Sequence, residues 1–386
     1  MRVATVLPAG AELASILLAC AASRATLVPI SPRAPAVEVD RILRDCRPSR
    51  LVMQDRSVEL EGAAAEAGDA TILYTSGTTG EPKGVRLTFE NHSASALGCQ
   101  ESLGLEPGDT WLSVLSPHHV GGLAIFMRGL LLDLPVVTLA RFSADDLLRA
   151  LTEERVAVIS LVPTMLIDLE RAGGVPLLRR LKVILLGGAP APDGDVRRWA
   201  AAGLNVCPSY GLTETCSQVA TVPPGRALEF GASAGMPHSR CTIEIQDGEI
   251  VVGGPVLTPG YVNRTIRPAP VGGQFPTGDL GRLETGVLHV IGRRDDTIIT
   301  GGENVHPEEV EAVLRAHPGV VDAAVAGRAD ARLGHVLEAI VVGDADADSL
   351  QRWCRERLPS FKVPRVVTHR EQLPRTDGGK LLRREL

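Results

Sequence analysis

The sequence predicts an α/β fold: a large N-terminal domain of α/β layers plus a small β-barrel-like part, then a small α+β C-terminal domain. Three observations carry this reading. Short apolar runs alternate with helical patterns through the first half of the chain, which argues for a largely parallel sheet. From about Arg240 the texture changes to short alternating strands with turn signals between them. After Asp295-Asp296 a smaller unit of helices and strands follows. The boundary is placed after Arg294, giving domains 1–294 and 295–386 of the 386 residues.

Taken in order, residues 11–22 have helical apolar spacing and lead into a strand at 25–30; 37–45 reads as helix and 50–53 as strand. The apolar stretch 13–27 contains Ser15, Ser23 and Arg24 and follows Glu12, so it reads as a buried helix, too short and wrongly flanked for a membrane span. Residues 71–74 form an apolar run. A helix at 145–154 precedes strands at 157–162, 182–186 and 204–208, with a helix at 193–202 between the last two. Strands at 241–246, 249–252 and 287–291 are separated by turns such as Asp247-Gly248 and Thr285-Gly286. In the last unit, 308–317 and 349–358 read as helices, 323–327 and 337–342 as strands.

Composition sets limits. Hydrophobic residues make up 44% and charged ones 22%, the balance of a globular protein, and a net charge of −6 argues against non-specific nucleic-acid binding. Seven cysteines form no close pair, no zinc spacing and no disulfide framework, which suits a reducing cytoplasm. Of 40 basic residues only four are lysine: Lys83, Lys182, Lys362 and Lys380. Such scarcity makes each retained lysine worth asking about.

Five motifs carry chemistry. Thr75-Ser76-Gly77-Thr78-Thr79-Gly80, followed by Glu81-Pro82-Lys83-Gly84, supplies hydroxyls, exposed N–H groups and a point charge able to wrap an anion. It is not a Walker A loop, because Pro82 and Gly84 stand where that motif needs glycine and Ser/Thr. Ser209-Tyr210-Gly211-Leu212-Thr213-Glu214-Thr215 places an aromatic face, a hydroxyl and a carboxylate directly after a strand, although Thr213 would serve equally as a helix cap. In Thr277-Gly278-Asp279-Leu280-Gly281 a carboxylate in a tight turn suits a ribose, or an ordinary Asx turn. Arg293-Arg294-Asp295-Asp296, Gly301-Gly302-Glu303-Asn304-Val305 and the helix start at Pro307-Glu308-Glu309 follow. Last comes Pro374-Arg375-Thr376-Asp377-Gly378-Gly379-Lys380, a turn presenting one lysine.

Together, in this order, these motifs resemble the adenylate-forming superfamily of acyl- and aryl-CoA ligases, stand-alone adenylation domains and luciferases, over nearly the whole chain. The resemblance implies a mobile C-terminal domain and specific roles. Residues 75–84 look like the phosphate loop, and Gly187-Gly188-Ala189 like the strand end lining the nucleotide. Tyr210, with Gly211 beside it, is similar to the adenine-stacking residue, Thr213 to the α-phosphate contact and Glu214 to the magnesium carboxylate. Asp279 and Arg293 look like ribose contacts, Asp295 like the hinge and Lys380 like the catalytic lysine. ATP, Mg2+ and coenzyme A are the implied cofactors and co-substrates, with a small carboxylic acid as partner, no nucleic acid, no membrane, and a homo-oligomer left open. Only 74 residues precede Thr75, fewer than the resemblance leads one to expect; with the nucleotide motifs intact, activity is expected to survive.

The implied reaction has two halves, acyl-adenylate formation and then displacement of AMP by a thiol. Within the superfamily, Ser116-Pro117-His118-His119-Val120-Gly121-Gly122, with 213–218 and 301–307, most resembles the o-succinylbenzoate–CoA ligases of menaquinone biosynthesis. Such an acid has a second carboxylate, which needs a cation or hydroxyls at the pocket's far end. Arg128 and Ser217 are the candidates beside His119, with a solvated helix arginine as the plain reading of Arg128. The alternatives are another aryl- or acyl-CoA ligase, or a stand-alone adenylation enzyme loading a carrier protein. Asp348-Ser349-Leu350 superficially suits a phosphopantetheine site, but it precedes Lys380 and opens a helix, so it reads as an N-cap.

Overall fold

The computed structural model describes residues 1–76, 82–262, 273–376, 379 and 381–386. Two seven-stranded sheets organise the first domain. In the first, strands Asp69–Ser76, Thr26–Ile30, Arg2–Val6 and Arg50–Met53 run parallel, and antiparallel strands flank them on both sides. In the second, Val206–Leu212, Val183–Leu186, Val158–Leu161, Trp111–Ser113 and Val136–Thr138 are parallel, extended by antiparallel Ser217–Thr221 and Met236–Pro237. The central strand Val183–Leu186 is apolar throughout, as a strand covered on both faces is: Val183, Ile184, Leu185 and Leu186 are all buried.

Helices Phe89–Leu103 and Val120–Leu132 fill the space between the sheets. Leu123, Phe126 and Met127 pack on the first sheet through Val3, Leu27, Leu73 and Val85. Ile125, Cys99 and Leu103 pack on the second through Trp111, Val158, Leu185 and Cys207. The periodicity of helix Val120–Leu132 is hidden in the sequence because it is apolar around most of its circumference, as helices buried on all sides are, while helix Phe89–Leu103 buries polar Asn91, His92 and Ser95 among its small residues. On its far face the second sheet is covered by helices Ala144–Glu153, Pro163–Arg171 and Asp193–Ala201, in a core that includes Trp199, Leu169 and Leu186.

The barrel-like part expected after residue 240 is a four-stranded antiparallel sheet, Thr242–Gln246, Glu249–Gly253, Gln274–Glu284 and Val287–Arg293, tied to the second sheet by a bridge from Leu288 to Gly235. A single 3-10 turn, Arg294–Asp296, follows. The C-terminal unit has its own core of Val305, Val310, Leu314, Val325, Leu337, Val341 and Leu350, and a five-stranded sheet whose long hairpin pairs Val320–Asp330 with Gly334–Gly343. Helix Ala347–Arg355 is capped by Asp346, whose side chain accepts from Ser349 N at 2.9 Å, so Asp348-Ser349-Leu350 lies in the first turn rather than at the cap. Among the described residues no helix is long and apolar enough to cross a membrane.

Charge placement is economical. Lys182, which no motif explains, bridges Asp109 at 2.8 Å and Glu106 at 3.2 Å. Arg383 is the hub of the C-terminal unit: it pairs with Glu311 at 2.6 Å, Glu308 at 2.8 Å and Asp296 at 3.3 Å. Burial pushes the Glu308 carboxyl upward against the pull of Arg383, and a Cβ on Gly292 would lie 2.4 Å from Glu308 Oε2, so a larger residue there would have to displace that carboxylate.

Two predictions follow from these buried groups. Arg383→Met leaves Glu308 without its cation and Glu311 with Arg315 alone, and should lower the unfolding free energy of the C-terminal unit by about 3–5 kcal/mol in urea titrations; an unchanged transition would show that the cluster contributes nothing. His92 and His238 are held neutral, each pushed down to about 3, first by burial and then by the Arg128 charge. An unfolded histidine takes up a proton near its ordinary value, so this stability is present above about pH 6.5 and is lost as pH falls toward 3. In His92→Gln the stability gap to wild type should shrink by about 1.4 kcal/mol per pH unit between pH 6 and pH 4; a pH-independent gap in urea midpoints would refute it.

Candidate active site

The second sheet's strands end at the site, and the Tyr210 motif begins inside a strand and runs into the turn after it. Strand Val206–Leu212 runs past residue 208 and carries Tyr210 and Gly211, with a register shift between them. Gly211 has no alternative, since a Cβ there would meet Ser217 O at 2.0 Å. The Tyr210 hydroxyl donates to Asp279 Oδ2 at 2.6 Å. Arg293 Nη1 donates to Asp279 Oδ1 at 2.9 Å and to Thr277 O at 3.3 Å. Burial, and then the Asp279 charge, push the Tyr210 phenol well above its ordinary range, so it stays a donor. Three residues singled out from separate motifs thus form one bonded cluster.

Asp279 does not sit in a tight turn. It lies within strand Gln274–Glu284, whose pairing jumps from Pro276 opposite Val251 to Leu280 opposite Glu249. Gly278, at φ 78°, takes the left-handed conformation inside this bulge and donates its N–H to Glu249 Oε1 at 2.7 Å, while Asp279 N donates to Thr277 Oγ1 at 3.1 Å. The bulge turns a 6% exposed carboxylate toward Tyr210.

Thr213 and Glu214 occupy the turn between Val206–Leu212 and Ser217–Thr221. Thr215 locks that turn: its Oγ1 accepts from Leu212 N at 2.9 Å and donates to Ser217 O at 2.9 Å. Cys216 and Ser217 have φ 54° and 95°, and Ser95 Oγ donates to Cys216 O at 2.7 Å, holding the unusual backbone. The Glu214 carbonyl accepts from Thr258 N at 2.8 Å, and its Oε1 accepts from the Tyr261 hydroxyl at 2.9 Å. Thr258 and Tyr261 escaped the sequence reading; the signal was Pro259-Gly260 between two apolar stretches. Gly188, at φ 77°, and Ala189 follow strand Val183–Leu186.

The 75–84 motif spans the arms of a hairpin: Asp69–Ser76 pairs with Pro82–Thr88, and Thr75 lies opposite Lys83. Gly77, Thr78, Thr79 and Gly80 lie outside the described residues, as does the Ser76 side chain. Lys83 is half-buried at the base of the second arm.

On the acid side the adjacent histidines separate. His118 is buried, its Nδ1 2.7 Å from Ser116 Oγ and its Nε2 2.9 Å from Leu7 O. His119 is exposed at the N-cap of helix Val120–Leu132. Arg128, on that helix, is 2% exposed, which rules out a solvated arginine. Its Nη2 donates to Ser217 Oγ at 3.1 Å and to Gln218 Oε1 at 3.0 Å, and its guanidinium lies 5.3 Å from the centre of the Trp111 ring. Among the described residues no carboxylate pairs with it, and its Nε is buried without a hydrogen-bond partner.

Lys380 lies outside the described residues. Its neighbour Gly379 rests against the end of strand Val158–Leu161, where a Cβ would stand 3.1 Å from Val162 Cγ2. Asp295 is exposed in the 3-10 turn. Among the described residues no three His, Cys, Asp or Glu side chains are grouped to hold a metal ion. Glu214 alone still fits magnesium, which usually keeps waters and takes one or two carboxylates together with substrate phosphates.

Known proteins resemble this chain in sequence and fold. A 2-succinylbenzoate–CoA ligase of Bacillus mycoides is 43% identical over 332 residues, 82% of this chain and 69% of that protein. The structure of o-succinylbenzoate coenzyme A synthetase (MenE) from Bacillus subtilis in complex with ATP and magnesium aligns over 100% of this chain and 87–89% of that one across its complexes, with a TM-score of 0.89 at 34% identity. A double mutant of that protein bound with a product analogue aligns with a TM-score of 0.70, also at 34% identity, over 100% of this chain and 87% of that one. The AMP-binding enzyme model matches residues 59–262 and the AMP-binding enzyme C-terminal domain residues 309–380, so this chain belongs to the AMP-binding enzyme family.

Proposed function

We propose that the protein is an ATP-dependent, AMP-forming 2-succinylbenzoate–CoA ligase. Arg128 is the observation that carries the choice of acid. A buried guanidinium held only by neutral groups among the described residues is costly unless an anion arrives. The aliphatic carboxylate of a dicarboxylic acid, bonded by Arg128 and Ser217, is that anion, while the other carboxylate reacts. His119, exposed at the N-terminus of the helix that carries Arg128, borders the same acid.

In the first half-reaction the substrate carboxylate oxygen attacks the α-phosphorus of ATP and pyrophosphate leaves. Two anions must approach, so donors aimed at the developing charge decide the rate. Thr213 and Lys380 supply such donors at the α-phosphate, and Thr75, Ser76, Gly77, Thr78, Thr79, Gly80 and Lys83 hold the outer phosphates. Tyr210, Gly188 and Ala189 border the adenine, and Gly211 lets the chain pass close to it. Asp279, oriented by Tyr210 and Arg293, accepts the ribose hydroxyls. Magnesium, held by Glu214, would neutralise phosphate charge.

In the second half the coenzyme A sulfur attacks the acyl carbon and AMP leaves. For this Lys380 withdraws by rotation of residues 295–386 about Asp295. Two features support a first-half arrangement here: Gly379 lies against Val162, and the likeness is greater to the ATP complex than to the product-analogue complex. The seven free cysteines suit the cytoplasm as its place of work.

Acid-dependent pyrophosphate exchange over a panel of aryl, acyl and dicarboxylic acids should be fastest with 2-succinylbenzoate; a preference for benzoate or a simple fatty acid would overturn the assignment. Lys380→Ala should slow adenylate formation by about 10²–10³ while still converting supplied acyl-adenylate to thioester. Equal loss of both halves would contradict the rotation.

A further inference from the structure

Two residues connect Glu214 to the hairpin that bears Lys83, and only Tyr261 reaches its carboxylate among the described residues. Strand Gly260–Tyr261 pairs with Pro82–Thr88, placing Gly260 opposite Arg86 and Tyr261 opposite Val85. The pairing continues as Val262 N donates to Gly84 O at 2.8 Å, next to Lys83. Thr258 fixes the entry to this strand: its Oγ1 donates to Arg86 O at 2.6 Å and accepts from Gly260 N at 3.0 Å. Its own N–H donates to the Glu214 carbonyl. Tyr261 is 2% exposed, in a cluster with Leu73, Val85, Leu123 and Cys216, so its ring has little freedom to move. From that fixed ring the hydroxyl reaches Glu214 Oε1 at 2.9 Å.

We propose that Tyr261 is a positioning residue for the nucleotide's divalent cation. Its backbone is registered on the arm that bears Lys83, and its phenol holds one oxygen of Glu214. The carboxylate is thereby set at a fixed offset from the hairpin and turned so that its second oxygen serves the metal. A glutamate left to itself samples several rotamers, and ordering it at the moment of binding costs free energy. Tyr261 removes that cost beforehand, in the way that groups behind a metal ligand orient it. The inference rests on the magnesium role proposed for Glu214.

Tyr261→Phe keeps the buried ring and removes only the hydroxyl. The Mg2+ concentration giving half-maximal pyrophosphate exchange should rise roughly tenfold, the lower end of the effect of losing such a supporting group. The rate should recover at saturating Mg2+. Independently of turnover, Mn2+ titrated into the complex with a non-hydrolysable ATP analogue and followed by electron paramagnetic resonance should bind more weakly by the same factor. The titration is run below the variant's melting transition, so that loss of fold is not read as loss of metal. Glu214→Gln is measured in parallel. If Glu214→Gln shifts the Mg2+ requirement and Tyr261→Phe does not, the positioning role is overturned and the ligase assignment stands. If Glu214→Gln leaves the requirement unchanged, the magnesium role itself fails. A Tyr261→Phe variant whose ATP affinity falls at unchanged Mn2+ affinity also overturns the inference.

Discussion

The buried carboxylate of Asp279 is the point on which the site depends. It receives a hydroxyl from the second sheet through Tyr210 and a guanidinium from the last strand before the 3-10 turn through Arg293. A buried anion has to be paired and hydrogen-bonded, or the fold loses several kcal/mol. That requirement fixes the four-stranded sheet against the second sheet, and with it the place from which the C-terminal unit departs. The same logic recurs at Glu311, where Arg383 gathers the chain end onto helix Pro307–Arg315. Charged pairs here act as joints between layers that apolar packing alone would leave free to slide.

Much of this was legible in the residues. Alternating helix and strand announced the second sheet, because buried parallel strands such as Val183–Leu186 are continuous apolar runs with turns at both ends. Tyr210, Asp279 and Arg293 each stand in a stretch singled out by local pattern, with their roles supplied only by the family resemblance. What pattern could not supply was that they touch, for their contacts span 69 and 14 positions.

The misses have physical causes. Helix Val120–Leu132 is apolar on nearly every side and helix Phe89–Leu103 buries polar Asn91, His92 and Ser95, so neither shows the two-faced rhythm by which helices are recognised. Asp279 read as a turn because glycine flanks it, yet Gly278 serves a bulge inside a strand. For Arg128 the sequence left a solvated arginine open beside a contact to the second carboxylate, because arginine is usually exposed, and the packing around Trp111 and Gln218 removes the solvated alternative. Tyr261 carried no motif; its role is visible only once Glu214 is beside it.

The strap at 258–261 also bears on how the chain comes to be folded. The first sheet takes its final strand, Gly260–Tyr261, from far downstream, and Thr258 bonds Arg86 across 172 positions. At synthesis rates of about 5–20 residues per second, that separation leaves the hairpin's outer edge bare for roughly 10–35 s on the ribosome. An unpaired strand edge is a template for association with other chains. The nascent protein therefore passes through an interval in which this hairpin offers an aggregation-prone edge, one that chaperone capture or slower, cooler expression would protect.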